Sequence, residues 1–131
     1  MLKARAIIEV IGYPQDYVDR VINNVSDKLK GEEGIKIINS EIAPAEKVKD
    51  KMSASFIEAE IEFESFARFS YFCFDYMPSS IEILNYDKNK LDSRQLTIGL
   101  NDMLGRLHQF NVTLAALTSQ NKKLKAKLEN D

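Results

Sequence analysis

The segment from Leu96 to Leu128 carries the pattern that most restricts how this chain can fold. Large apolar residues recur there at alternating steps of four and three through five successive heptads, which is the spacing of a coiled-coil seam. The a positions are Leu100, Leu107, Leu114, Asn121 and Leu128, and the d positions are Leu96, Met103, Phe110, Leu117 and Leu124. We call these ten residues the a/d seam. The pattern predicts a long helix that pairs with another helix.

Asn121 is the one polar residue of the a/d seam. A buried amide at an a position costs stability, but it fixes the register and favours a parallel two-stranded coiled coil. Two Asn121 side chains would face each other in a parallel pair and exchange a hydrogen bond, whereas other pairings would bury each amide against leucine. The sequence therefore predicts a parallel homodimer. Pairing with a different chain, or packing of the seam on its own domain, are the alternatives.

Length and charge predict how the chain is organised. The 131 residues suffice for one small α+β domain over residues 1–90 and one dimerising helix over residues 91–131. The first region has 12 basic and 16 acidic side chains, a net charge of −4, and the second has 6 basic and 4 acidic, a net charge of +2. This balance gives no general attraction to nucleic acids or anionic membranes.

Four segments have the composition of β-strands. They are residues 2–11, 35–42, 57–64 and 80–86, and the third alternates strictly between apolar residues and glutamates. We expect Pro44 to end the second strand and the charged residues 45–52 to form an exposed connection. Lys3 and Arg5 of the first strand should share the open sheet face with the glutamates of the third strand.

Two helices are predicted between these strands. The first has an apolar stripe that includes Val18, Ile22 and Leu29, and Gly31 is placed to end it. The second covers residues 66–76, with Ser65 as its N-cap. Its aromatic residues are too many for one helical stripe, so we expect some of Tyr71, Phe72 and Phe74 to lie at an interface with another subunit.

This order of strands and helices resembles the ferredoxin-like βαββαβ fold. The resemblance implies a four-stranded antiparallel sheet with the first and third strands in the centre and both helices on one face. A turn at residues 87–90 would then lead to the C-terminal helix, which Asp92 and Gln95 would cap. The apolar residues Ile98, Leu104 and Val112 lie off the seam, so the first half of that helix could also touch its own body.

Residues that could support chemistry are sparse. His108 is the only histidine and Cys73 the only cysteine, so one chain cannot form a His-paired nucleophile, a disulfide or a paired-cysteine zinc site. We therefore expect no enzyme activity, cofactor or metal. Two charged sets are candidate surfaces for a protein partner. One is the row Glu58, Glu60, Glu62 and Glu64, and the other is the cluster Lys122, Lys123, Lys125 and Lys127.

The sequence favours an assembly or adaptor module located in the cytoplasm, since no signal-like or membrane-spanning apolar run is present. Two alternatives share the predicted fold. The RNA-recognition motif has the same element order, but Glu58, Glu60 and Glu62 would repel phosphates on its sheet face, and Phe56 alone offers little stacking surface. The ACT type of small-molecule regulatory domain also has this topology, and residues 12–14 resemble its ligand loop.

Overall fold

A computed structural model describes residues 2–86 and 92–130, and the turn predicted at residues 87–90 lies outside the described residues. The strands are β1 (Leu2–Gly12), β2 (Ile35–Lys49), β3 (Met52–Phe63) and β4 (Ser80–Tyr86). The helices are α1 (Gln15–Lys30), α2 (Phe66–Tyr76) and α3 (Ser93–Asn130). The protein is thus of mixed α+β class, with four strands and a long C-terminal helix among the described residues.

The four strands form one antiparallel sheet in the order β2-β3-β1-β4. β1 pairs with β3 along its whole length, from Leu2 opposite Phe63 to Gly12 opposite Ser53. β2 and β4 are the two edges of the sheet. The two alternating strands, β1 and β3, therefore occupy the centre, where each has a neighbouring strand along both of its edges.

One face of the sheet forms the core with α1 and α2. The strand residues on this face are Leu2, Ala4, Ala6, Ile8, Ile57, Ala59, Ile61 and Phe63, all of them buried. From the helices, Ile22 and Leu29 of α1 and Phe69 and Phe72 of α2 join the same cluster. The ring of Phe63 lies 5.1 Å from each of the Phe69 and Phe72 rings. The alternation predicted for β3 is confirmed, because its odd-numbered residues are the buried ones.

β2 differs from its prediction, because it continues through Pro44 to Lys49 instead of ending before that proline. Proline is tolerated there because β2 is an edge strand and its register shifts between Ala43 and Glu46. Ala45 lies in this bulge and is buried, and its backbone groups bond to α1. The Ala45 N–H donates to Asp19 Oδ1 at 3.0 Å, and the Ala45 carbonyl accepts from Gln15 Nε2 at 2.9 Å. The predicted exposed connection at residues 45–52 was therefore wrong.

The predicted helix caps are present. Ser65 Oγ accepts a hydrogen bond from the Arg68 N–H at 3.0 Å at the start of α2, and Asp92 Oδ1 accepts one from the Gln95 N–H at 2.9 Å at the start of α3. The expectation for the α2 aromatic residues needs one correction, since Phe72 is fully buried beneath Phe63 and belongs to the core. Tyr71 and Phe74 are half-buried on the side that faces α3.

Candidate functional site

The first half of α3 packs against α2 of the same chain. Its closest approach is at Gly99, where an added Cβ would overlap the Phe66 ring and lie 3.0 Å from Ser70 Oγ. Further along, Tyr71 Oη donates a hydrogen bond to Asp102 Oδ2 at 3.3 Å. The absence of a side chain at residue 99 is what lets the two helices come this close.

Arg106 makes the strongest polar contact between α2 and α3. Its Nη1 lies 2.6 Å from Asp75 Oδ1, and its guanidinium carbon lies 3.9 Å from the centre of the Tyr71 ring. A guanidinium over an aromatic face gains cation–π attraction in addition to the ion pair. The side chain thus ties the end of α2 to the middle of α3.

These contacts use a different side of α3 from the a/d seam. Gly99 and Arg106 are at g positions of the heptad, and Asp102 is at a c position. On a helix with about 3.6 residues per turn, the centre of the c/g stripe lies about 110° around the axis from the centre of the a/d seam. The intrachain packing therefore leaves most of the seam uncovered by α2, with Met103 as its half-buried member.

Most of the a/d seam is exposed. Its members Leu96, Leu100, Leu107, Phe110, Leu114, Leu117, Leu124 and Leu128 have between 38% and 76% of their surface accessible. Asn121 is also exposed, and Met103 is half-buried. Such a long row of accessible large apolar side chains is unusual for a monomer in water and is typical of a surface that another molecule covers.

The second half of α3 buries none of its residues against the described part of the chain. Every residue from 111 to 130 is exposed, and we call this segment the projecting half. At a rise of about 1.5 Å per residue it extends about 30 Å beyond the contact with α2. An isolated helix of this length is only marginally stable in water.

An apolar groove runs between the end of α2 and the a/d seam. It is lined by Cys73, Phe74, Met77, Met103, Leu107 and Phe110 and has a volume of about 260 Å³. We call it the α2–α3 groove. Burial raises the pKa of the Cys73 thiol to about 11. The thiol is therefore protonated at neutral pH and is a poor nucleophile, which fits a packing role for Cys73.

The open face of the sheet carries the predicted glutamate row, and Arg5 partly neutralises it. Arg5 donates to Glu60 Oε1 and to Glu82 Oε2, each at 3.1 Å, and lies 3.7 Å from Glu58 Oε1. The hydrogen bond to Glu60 is the main cause that raises the pKa of Arg5. Lys3 adds a contact of 3.9 Å to Glu60. The electrostatic match predicted between the first and third strands is confirmed.

The remaining candidate residues are not brought together into one site. Glu62 is half-buried on the open face, and Glu64 follows the end of β3, where its backbone N–H donates to the Gly34 carbonyl. His108 is exposed on α3. The exposed lysines Lys122, Lys123, Lys125 and Lys127 lie on the projecting half, on a separate part of the chain from the sheet. The two charged surfaces are therefore separate features.

A protein-family model, that of the MJ0538 family, matches residues 3–130. The chain belongs to the MJ0538 family. The match extends over the sheet, over α1 and α2, and over α3 including the projecting half. No curated protein and no solved structure matches it.

The described residues include neither a membrane-spanning helix nor a cluster of metal ligands. Within residues 2–86 and 92–130, no helix combines the length and the apolar character needed to span a membrane. In the same part of the chain, no group of three or more His, Cys, Asp or Glu side chains is arranged to hold a metal ion.

The first half of α3 was expected to be able to touch its own body, and it does pack on α2, but through other residues than the off-seam apolar ones. The off-seam residues Ile98, Leu104 and Val112 suggested contact with the body, but all three are exposed. The contact instead uses Gly99 and the polar residues Asp102 and Arg106. Gly99 is the signal for this contact in the sequence, because a glycine inside a helix costs about 1 kcal/mol and so suggests a close backbone approach, which the structure has at Gly99.

Proposed function

We propose that this protein is a non-enzymatic assembly module, which forms a homodimer through a parallel coiled coil of α3 and serves as a subunit or scaffold for a partner protein. One observation carries the proposal. The helix packs on its own body mainly through c and g positions, so all of the a/d seam except the half-buried Met103 is exposed and available to a second copy. Pairing along the seam would remove its exposed leucines from water, which is the main driving force for coiled-coil formation.

The flanks of α3 support a parallel arrangement. In a two-fold symmetric parallel pair, the two α2 helices would lie on opposite sides of the coil, so the two bodies would not collide. The g positions are Gly99, Arg106, Thr113, Gln120 and Lys127, and the e positions are Thr97, Leu104, Asn111, Thr118 and Lys125. When each g residue is paired with the e residue five positions further on, no pair combines two like charges. Parallel pairing therefore meets no electrostatic penalty at the flanks.

The body is proposed to be a ferredoxin-like domain. The order β2-β3-β1-β4, the antiparallel pairing and the shared core face of α1 and α2 support this assignment. A fold of this kind serves many functions and does not by itself identify one. Its contribution to the proposal is a rigid platform that positions α3.

Binding of single-stranded RNA on the sheet has less support. Glu58, Glu60 and Glu82 surround Arg5 on the open face, so the only guanidinium there is already engaged among the described residues. Phosphates would meet carboxylates on this face and would be repelled. Phe56 is 41% exposed, but it is the only aromatic residue that the described part of β3 presents on this face.

The proposal is tested by comparing the solution masses of two variants, whose substitutions should have the same effect if the protein is a monomer. Leu117 and Val112 are 55% and 52% exposed on α3, so aspartate at either position should leave the isolated chain folded. Leu117 is in the a/d seam, and Val112 is at the f position on the far side of the helix. We expect light scattering to give a dimer mass for the wild type and for Val112→Asp, and a monomer mass for Leu117→Asp.

Two other results would contradict the proposal. One is a monomeric wild type at micromolar concentration whose helix content by circular dichroism is intact. The other is an equal loss of dimer in both variants. Orientation is tested by Asn121→Cys in a Cys73→Ser background, which should oxidise readily to a disulfide-linked dimer if the helices are parallel and in register. A partner protein captured from native cells by the wild type and by Val112→Asp, but not by Leu117→Asp, would support the scaffold role.

A further inference from the structure

The α2–α3 groove is an apolar surface that packing within the described residues leaves uncovered. Three of its six lining residues, Met103, Leu107 and Phe110, are members of the a/d seam. The other three belong to α2 and the residue after it, and Met77 among them is 64% exposed. The groove and the seam are thus one continuous apolar surface, and a molecule that covers the seam would also reach the groove.

The flank of α3 opposite to its own α2 carries a residue of matching character. Leu104 is 61% exposed, and it is the only apolar residue at an e position of the five heptads, where coiled coils usually have charged residues. Its e position lies about 180° around the helix from the c/g stripe that contacts α2. Leu104 therefore cannot touch the groove of its own chain.

In a parallel pair, however, the e flank of one helix lies beside the g flank of the other. The g flank is the side on which α2 packs, at Gly99 and Arg106. Residue 104 of a second copy would lie at the height of Met103, which lines the groove near Cys73. Leu104, the single apolar e residue, would thus lie next to the exposed apolar residues of the partner's groove.

We propose that the α2–α3 groove is a docking site for a second copy of this chain, in which Leu104 of one protomer covers the groove beside Cys73 of its partner. This inference rests on the proposed parallel dimer and extends it from the coil to the body. The dimer interface then includes α2, so the two bodies are held in a defined orientation and do not swing about the start of the coil.

The accessibility of Cys73 provides a direct test, since it is the only cysteine. Thiol labelling at pH 8 should be about tenfold slower in the dimer than in the monomeric Leu117→Asp variant, because the partner covers the thiol. Leu104→Ala should restore fast labelling while the protein is still dimeric. Ile98→Ala is the matched control, because Ile98 is an exposed apolar residue of α3 at an f position and should leave the rate unchanged.

The affinity of the dimer gives an independent measurement. Leu104→Ala should raise the dissociation constant by about tenfold, since each protomer loses one partly buried leucine side chain. Ile98→Ala should leave it unchanged. Within one chain Leu104 and Cys73 are on opposite sides of α3, so an effect of Leu104→Ala on Cys73 labelling must pass between protomers.

The outcomes separate this inference from the proposed function. A monomeric wild type would overturn both. A dimer that Leu117→Asp dissociates, but in which Cys73 labels as fast as in the monomer and Leu104→Ala has no effect, would overturn only the docking of the groove. Slow labelling that Leu104→Ala does not change would mean that another part of the partner fills the groove, and it would also overturn the proposal.

Discussion

The two halves of α3 share one heptad pattern but have different surroundings. Residues 93–110 pack on α2 through Gly99, Asp102 and Arg106, whereas every residue of the projecting half is exposed. The first half therefore gains stability from its own chain, and the second gains none from the described residues. Because the leucines continue through both halves, burial within the chain is not the reason for the pattern.

This difference gives the helix two distinct surfaces. The c/g stripe is short and combines one glycine with charged side chains, which fits a fixed contact between two neighbouring helices. The a/d seam is long and apolar, which fits association with another molecule. Changes at the two surfaces should therefore affect association and the stability of the body separately.

Deletion of residues 111–130 should abolish the dimer and leave the body folded. The deletion removes five of the ten seam residues, which are Leu114, Leu117, Asn121, Leu124 and Leu128. It leaves Gly99, Asp102 and Arg106, which contact α2, in place. We expect the dissociation constant to rise by at least about a hundredfold, from the loss of buried apolar area. Sedimentation equilibrium measures this change.

The control for folding compares the melting temperature of this truncated protein with that of the Leu117→Asp variant. Both proteins should be monomeric and should melt together, since the projecting half contributes nothing to the body. A truncated protein that fails to fold would show that the projecting half stabilises the body through contacts other than the seam.

Adding a methyl group at Gly99 and adding one at Gly105 should change the free energy of unfolding in opposite directions. Gly99→Ala would place a Cβ against the Phe66 ring and is expected to lower the free energy of unfolding by about 2 kcal/mol. An added Cβ at Gly105 meets no atom within 4 Å, so Gly105→Ala should raise it by about 1 kcal/mol through helix propensity alone. Urea denaturation of both variants provides the comparison. Equal stabilisation by the two changes would mean that α3 is not held against α2 at Gly99.

Asn121→Leu tests the seam in the projecting half. The substitution should raise the stability of the dimer by about 1.5 kcal/mol, because an amide is no longer buried among apolar residues. It should also loosen the oligomeric state or the orientation, because the penalty on other pairings disappears. Melting temperature and solution mass, measured on the same sample, report the two effects. A less stable protein that remains a single dimer would place Asn121 outside a homodimeric seam.

Arg106→Gln has the smallest expected effect and concerns the first half of α3. It removes the ion pair with Asp75 and the cation–π contact with Tyr71, and because the site is partly exposed the cost should be about 1 kcal/mol. Lys123→Gln on the projecting half is the control and should not change the stability of the body. Thermal melts at low and high salt would distinguish the two variants, since only Arg106→Gln should reduce the dependence of the melting temperature on salt.

Much of the architecture follows from local sequence patterns. The strict alternation in β3, the apolar stripe of α1, and the caps at Ser65 and Asp92 predicted a mixed α+β protein with a four-stranded antiparallel sheet and a long C-terminal helix. Each of these signals lies within a few neighbouring residues, because side-chain direction and backbone hydrogen bonding repeat with the local period. The a/d seam is a signal of the same local kind.

Tertiary contacts decided the features that local patterns could not. Pro44 is a local signal for the end of a strand, yet β2 continues past it, because Asp19 and Gln15 of α1 satisfy the backbone of Ala45. Likewise, the position of Gly99 under the Phe66 ring determines which side of α3 meets the body. In both cases the deciding partner is distant in sequence, so its effect is absent from any local window. The sequence alone determined that α3 has an apolar seam, and only the packing of α3 on α2 left that seam exposed.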